Sequence, residues 1–155
     1  MLYIKEILNN SMIITPVIAW AISQSTKIVT NLIKNRKFDI KKAVADGGMP
    51  SGHSATMVAL TVSVGITQGL DSAAFAIASV LTILIIRDAL GVRRESGKHA
   101  GLIMKLVDRS NETVKEGEEK ITPIKLKPGA GHTMPQVLVG SLIGIVVSAL
   151  YALIF

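Results

Sequence analysis

Apolar residues are concentrated in four long stretches of the chain, and polar or glycine-rich connections separate them. The stretches cover residues 11–33, 54–70, 73–90 and 135–155. An α-helix needs about 20 apolar residues to cross the hydrocarbon core of a bilayer, and all four stretches approach that length, although the second is short. The pattern predicts an all-α fold, an integral membrane helical bundle of about four transmembrane helices that forms a single domain over residues 1–155.

The basic residues are distributed unevenly between these stretches. The connections 34–53 and 91–134 contain nearly all the lysines and arginines, whereas the tight turn at 69–72 contains none. Four crossings would place both basic connections on one side of the membrane, and the positive-inside rule assigns that side to the cytoplasm. We therefore expect a multi-pass protein of the cell membrane whose termini lie on the opposite side.

Within the second connection, residues 95–120 are polar but carry a partial apolar stripe. Its members are Ala100, Ile103, Met104, Leu106, Val107 and Val114. Such a stripe predicts an amphipathic helix that lies on the membrane surface. The glutamates at 116, 118 and 119 stand beside lysines and indicate a solvated face or turn rather than a metal site.

Composition agrees with a small integral membrane protein. Of its residues 49% are hydrophobic, the mean hydropathy is +0.48, and the formal net charge is +6. The absence of cysteine excludes disulfides, thiolate metal ligands and cysteine nucleophiles. The acidic residues are scattered, and none has a metal-ligand spacing with a histidine, so we expect neither a metal nor another cofactor.

The most distinctive connection is the glycine-rich stretch 47–55, Gly-Gly-Met-Pro-Ser-Gly-His-Ser-Ala, immediately before the second apolar stretch. Glycines let backbone N–H groups approach a ligand closely, and a helix N-terminus favours an anion. The alternative is a plain turn capped by Ser51 or Ser54. A second such stretch, 129–136, also places glycines and a histidine before a transmembrane helix.

Charged side chains at the membrane boundary are further site candidates. Lys27 shares a helix face with Gln24 and Asn31, and a lysine at this depth must face protein or water unless it snorkels to the interface. Arg93 and Arg94 follow the third apolar stretch directly. They could bind a ligand or act only as a positive-inside anchor.

Together these residues meet the requirements of phosphoryl transfer, which are neutralisation of phosphate charge, an in-line nucleophile and an acid for the leaving group. Two histidines can divide the nucleophile and acid roles, and backbone N–H groups near Ser51 and Gly52 can hold oxygens. The cations available to neutralise charge are Lys27, Lys34, Arg93 and Arg94.

The residues Pro50-Ser51-Gly52-His53 resemble the central motif of the type-2 phosphatidic acid phosphatase superfamily. The stretches 47–55, 88–94 and 131–140 resemble its small divergent bacterial and plant branch more closely, and the resemblance covers almost the whole chain. It implies that His132 is a nucleophile that forms a phosphohistidine and that His53 protonates the leaving alcohol. It also implies that Lys27, Ser51 and Gly52 bind phosphate oxygens.

The chain departs from the pattern of that superfamily at three places. Lys34-Asn35 stands where the first motif has arginine and proline, which keeps the charge but loses bidentate geometry. Leu126 stands where the third motif has arginine, so Lys125, Lys127 or, preferably, Arg93 or Arg94 would substitute.

The third departure is Gln136, which stands where the family uses aspartate four residues after His132. Glutamine can orient the imidazole but carries no charge. Asp88 is our candidate to supply that charge from the third helix.

The function expected from these observations is a metal-independent membrane phosphatase that acts on a lipid phosphate at the cytoplasmic interface. By resemblance the substrates are phosphatidic acid, phosphatidylglycerol phosphate or polyprenyl diphosphate, and the partners are membrane lipids rather than nucleic acid. One alternative is a non-catalytic scaffold that binds anionic lipids, and another is a small transporter. The small residues Gly140, Gly144 and Ser148 would support either a homodimer or packing within the monomer.

Overall fold

The computed structural model describes residues 2–35, 48–114, 121–122, 126 and 130–155, and these residues form helices and no strand. The helices are α1 (Leu2–Leu8), α2 (Ser11–Asn35), α3 (Gly52–Gln68), α4 (Ala73–Leu90), α5 (Val92–Glu112) and α6 (Met134–Ile154). The prediction of an all-α fold is confirmed. Most of the connection 34–53, the acidic cluster near 118 and the lysines at 125 and 127 lie outside the described residues.

Three of the described stretches are long and apolar enough to cross a membrane, namely Ser11–Ile33, Ala73–Glu112 and Met134–Ile154. Helix α3 has 17 residues, or about 26 Å at 1.5 Å per residue, which is the lower limit for a span. Its role as a fourth span stays a prediction. Helix α4 ends at Leu90, and α5 begins two residues later and includes residues 95–112 of the stretch in which the amphipathic helix was predicted.

A tight hairpin joins α3 to α4. Gly69 adopts a φ of 89°, and the Ser72 hydroxyl caps α4 by accepting a hydrogen bond from the Phe75 N–H at 3.1 Å. Further along the hairpin, the hydroxyls of Thr61 and Thr82 lie 2.7 Å apart across the two helices. The turn and these hydrogen bonds make α4 antiparallel to α3.

Helices α3 and α6 pack through small residues. A Cβ atom at Gly144 would lie 2.6 Å from the Ala55 carbonyl oxygen, and Ser148 donates to the Ala59 carbonyl at 2.9 Å. The absence of side-chain bulk lets the two backbones approach closely. The small-residue face predicted for either a dimer or the monomer is therefore used within the monomer, and a homodimer stays a prediction that needs another surface.

Along α6, Gly140, Gly144 and Ser148 meet successive positions of α3 from Ser51 to Ala59. The two helices are therefore parallel and start at the same end of the bundle. Helix α2 runs the opposite way, and its Ser23 hydroxyl donates to the Pro50 carbonyl at 3.5 Å. The middle of α2 therefore lies beside the start of α3. The end of α4 reaches the same end of the bundle, because the His132 N–H, just before α6, donates to the Ala89 carbonyl at 2.9 Å.

Candidate functional site

Two histidines from distant parts of the chain come together at this end of the bundle. The ring centroids of His53 and His132 lie 6.1 Å apart with an interplanar angle of 60°. His53 lies in the first turn of α3, and His132 lies two residues before α6. The parallel packing of these helices brings the rings together, with His132 buried and His53 half-buried.

Gln136 contacts the imidazole of His132 at Nδ1. The Thr133 N–H donates to Gln136 Oε1 at 2.9 Å, as in the return half of a capping box, so the contacting atom of the amide is its oxygen. The same Oε1 lies 3.3 Å from His132 Nδ1. Because an amide oxygen only accepts, a neutral ring makes this contact as a hydrogen bond only in the tautomer with the proton on Nδ1 and the lone pair on Nε2.

The start of α3 is held in place by its own cap and by α6. The buried Ser51 hydroxyl accepts from the Ser54 N–H at 3.3 Å, and the Ser51 N–H donates to the Gln136 carbonyl at 2.9 Å. The capped turn considered above as the alternative is thus present, and the Ser51 N–H already has an acceptor. The N–H groups of Gly52 and His53 have no acceptor inside the helix, as in any first helical turn.

Gly52 is needed where α3 meets α2. A Cβ atom at this position would lie 3.1 Å from Gln24 Nε2 and 3.7 Å from the Trp20 ring. The missing side chain therefore lets the start of α3 approach the middle of α2.

A cavity of about 410 Å³ opens beside His132. Its charged and polar side chains come from α5, α6 and the loop before α6: Arg94, Lys98, His132, Thr133 and Gln136. Glycines and Ala130 form the rest of the wall, at positions 48, 97, 101, 130 and 131. A cavity with two cations, a histidine and exposed backbone matches the chemistry of an anionic headgroup.

Backbone contacts bring the two cations to this cavity. A Cβ atom at Gly97 would lie 2.6 Å from the Ala130 carbonyl oxygen, and one at Gly131 would lie 2.5 Å from the Arg94 nitrogen. Gly131 also has a φ of 93°, a conformation that favours glycine. The first turns of α5 therefore touch the loop before α6, and Arg94 and Lys98 face the same space as His132.

Lys27 is buried within the protein, with 8% of its surface exposed. It lies one helical turn beyond Ser23, the residue that contacts Pro50, and therefore on the face of α2 that meets α3. This position differs from that of a lysine that snorkels along lipid. Lys34 belongs to the last turn of α2, and its side chain lies outside the described residues.

Asp88 near the end of α4 and Arg93 at the start of α5 form an ion pair. Arg93 Nε donates to Asp88 Oδ2 at 2.7 Å, and both side chains are about two-fifths exposed. The described contact of Asp88 is thus with Arg93, while the described acceptor at His132 Nδ1 is Gln136. A role for Asp88 in offsetting charge on His132 stays a prediction, and the ion pair suggests that it would act through Arg93.

The sequence prediction does not include Lys98 or the glycines of α5 among the site residues, because it assigns residues 95–120 to an amphipathic helix on the membrane surface. The available signal was their spacing, since Lys98 follows Arg94 by four residues and Gly101 follows Gly97 by four. Lys98 also pairs with Glu95 at 2.6 Å. The hydrogen bond and positive charge of Lys98 lower the pKa of Glu95 below its usual range.

In the described parts of the chain, no three histidine, aspartate or glutamate side chains cluster closely enough to hold a metal ion. The polar groups that line the cavity are instead suited to bind an anion directly.

Comparisons with known proteins identify the family of the chain. The sequence model of the divergent PAP2 family matches residues 8–147. The chain is also 36% identical over 156 residues to the uncharacterized membrane protein YuiD of Bacillus subtilis (strain 168), a match that covers 97% of this chain and 99% of that protein. No solved structure matches the chain significantly. Because the family match spans most of the sequence, this membrane protein belongs to the divergent PAP2 family.

Proposed function

We propose that the protein is a metal-independent phosphatase that removes the terminal phosphate from a membrane lipid through a phosphohistidine at His132. The observation that carries the proposal is the pairing of the two histidines at 6.1 Å, together with a Gln136 contact that suits the neutral tautomer of His132 with its lone pair on Nε2. Family membership supports the same chemistry.

In the proposed first step, His132 Nε2 attacks the phosphorus atom. The bond from phosphorus to the lipid oxygen breaks, and His53, in its protonated form, gives a proton to that oxygen. In the second step, neutral His53 takes a proton from water, whose oxygen attacks the phosphohistidine. Inorganic phosphate leaves, and His132 regains its lone pair. The lipid product carries a free hydroxyl if the substrate was a monophosphate, and a single phosphate if the substrate was a diphosphate.

Cations around the cavity would stabilise the charge that develops on the phosphoryl oxygens. Arg94 and Lys98 line the cavity directly, and the buried Lys27 lies on the face of α2 that meets α3. The free N–H groups of Gly52 and His53 would hold one oxygen, as donors at a helix N-terminus do. Ser51 contributes by fixing this turn, while Arg93 and Lys34 are proposed to act at the rim.

A lipid is the proposed substrate because the site lies where the membrane-spanning helices end. A headgroup phosphate could enter the cavity while its apolar chains stay in the bilayer. Phosphatidic acid, phosphatidylglycerol phosphate and polyprenyl diphosphate all provide a terminal phosphate of this kind. The basic connections at this end support a cytoplasmic orientation under the positive-inside rule.

The test is phosphate release from these three lipids by the purified protein in proteoliposomes. We expect release by wild type, inhibition by vanadate, and loss of release in His132→Ala. The matched control is His99→Ala, because His99 is an exposed histidine of α5 outside the set that lines the cavity. Equal release by His132→Ala and wild type would contradict the mechanism.

A non-catalytic lipid-binding scaffold is the second candidate, and Gln136 is the observation that favours it. A neutral oxygen on His132 Nδ1 provides less stabilisation for a cationic phosphohistidine than a carboxylate would. Saturable binding of lipid phosphates by the wild type, without release of phosphate from any of them, would establish this alternative.

A further inference from the structure

We propose that α5 is a membrane-surface helix whose cationic stripe binds anionic lipid headgroups and concentrates them at the mouth of the His132 cavity. The stripe consists of Arg94, Lys98, Lys105 and Arg109. The proposal names anionic lipids of the host bilayer as the partner of this helix. Only the delivery of substrate to His132 rests on the proposed phosphatase function.

The four cations fall on one side of α5. At 100° per residue, positions 94, 98, 105 and 109 lie within an arc of about 60° and extend over about 22 Å of helix. All four side chains are exposed. The first two also line the cavity, so the stripe leads along the helix directly to the proposed site.

Exposed apolar side chains adjoin the stripe. Leu102, Ile103 and Leu106 are 59%, 47% and 66% exposed, whereas Gly97 and Ala100 on the other side of α5 are buried. The apolar stripe expected from the sequence is therefore divided, since Ala100 packs inside the protein and Ile103 and Leu106 do not. Exposed leucines beside lysine and arginine are typical of helices that lie in a bilayer interface.

The position of α5 along the bundle places it at the membrane boundary. Helix α4 has 18 residues, or about 27 Å, which nearly matches the hydrocarbon thickness of a bilayer. Helix α5 begins two residues after α4 ends, and the close contact between Gly97 and Ala130 holds it at that level. The apolar side chains can then enter the interface while the cations meet headgroup phosphates.

The first test measures the depth of α5 without any need for activity. The natural chain contains no cysteine, so a nitroxide attached to Leu106→Cys or Asp108→Cys reports on one position alone. In vesicles of phosphatidylcholine and phosphatidylglycerol, we expect the label at 106 to be shielded from a water-soluble relaxation agent and the label at 108 to be accessible. Equal accessibility at the two positions would overturn the surface placement.

The second test measures capture of a lipid phosphate diluted in a neutral bilayer. Each cation near an anionic headgroup should strengthen its association about fivefold. Lys105→Gln and Arg109→Gln should therefore each raise KM by about that factor, leave kcat unchanged, and lose their effect at high salt. The matched control is Lys5→Gln, an exchange of the same type on α1, for which we expect an unchanged KM.

The outcomes separate this inference from the proposed function. If wild type releases no phosphate from any lipid, the phosphatase proposal fails, and the label positions still decide whether α5 binds the bilayer surface. If wild type is active but Lys105→Gln and Arg109→Gln keep the wild-type KM, the capture role is overturned while the phosphatase proposal stands.

Discussion

Replacing Gln136 by glutamate tests most directly how the group beside Nδ1 affects the reactivity of His132. Gln136→Glu is isosteric, so one oxygen can keep both its bond from the Thr133 N–H and its place 3.3 Å from His132 Nδ1. Glutamate also suits the third position of the helix in a capping box. The substitution therefore adds one negative charge at Nδ1 and changes little else.

The magnitude follows from this hydrogen bond. A bond between neutral groups contributes about 1 kcal/mol net, and one to a charged group about 1.5–3 kcal/mol. If the added stabilisation of about 1 kcal/mol applies to the cationic phosphohistidine and the transition state before it, formation of the intermediate accelerates about fivefold. The carboxylate also holds a proton on the resting ring more tightly, so the acidic limb of the pH–rate profile should move to higher pH.

Phosphate release by proteoliposomes, followed across the neutral pH range at saturating lipid phosphate, measures both effects. Acid-labile labelling of the protein reports the phosphohistidine itself. Gln136→Leu serves as the control, because it has a similar size but no acceptor, and its rate should fall below that of wild type. A Gln136→Glu variant with the wild-type rate and an unmoved acidic limb would refute the reasoning.

Three other perturbations follow from the same structure. Gly131→Ala should lower the free energy of unfolding in detergent by about 1–2 kcal/mol or more, seen as a lower unfolding temperature, because its φ is 93° and its Cβ would meet α5. Gly101→Ala, with open space around the added atom, is the matched control, and an equal loss in both would contradict the packing argument. Because the hydrogen bond to Lys98 lowers the pKa of Glu95, their pairing stabilises the fold above the carboxyl's unfolded pKa. That contribution is lost as pH falls through the lowered folded pKa, and Glu95→Gln should abolish this small acid-dependent change in thermal unfolding. Asp88→Asn removes the ion pair of Arg93 and should reduce turnover less than His132→Ala does, and turnover equal to that of wild type would show that Asp88 has no role.

Much of the candidate site could be predicted from the sequence because its signals are local. The apolar stretches predicted the helices, and glycines before a histidine marked the N-termini of α3 and α6. Four crossings placed His53 and His132 on the same side, and the structure pairs their rings. These features depend on residue type and short spacing, which a single chain displays directly.

The tertiary structure decided how the individual groups of the site are used. Ser51 donates its N–H to Gln136, 85 positions away, so a donor expected to face the ligand is already occupied. Lys98 joins the cavity only because Gly97 and Gly131 allow α5 to touch the loop before α6. Hydrogen-bond partners and close backbone contacts depend on which distant surfaces meet, and periodicity along a helix does not encode that choice. Residue patterns therefore determined the helices, the reactive groups and the local contact of Gln136 with His132, while packing determined the acceptor of the Ser51 N–H and the cations beside His132.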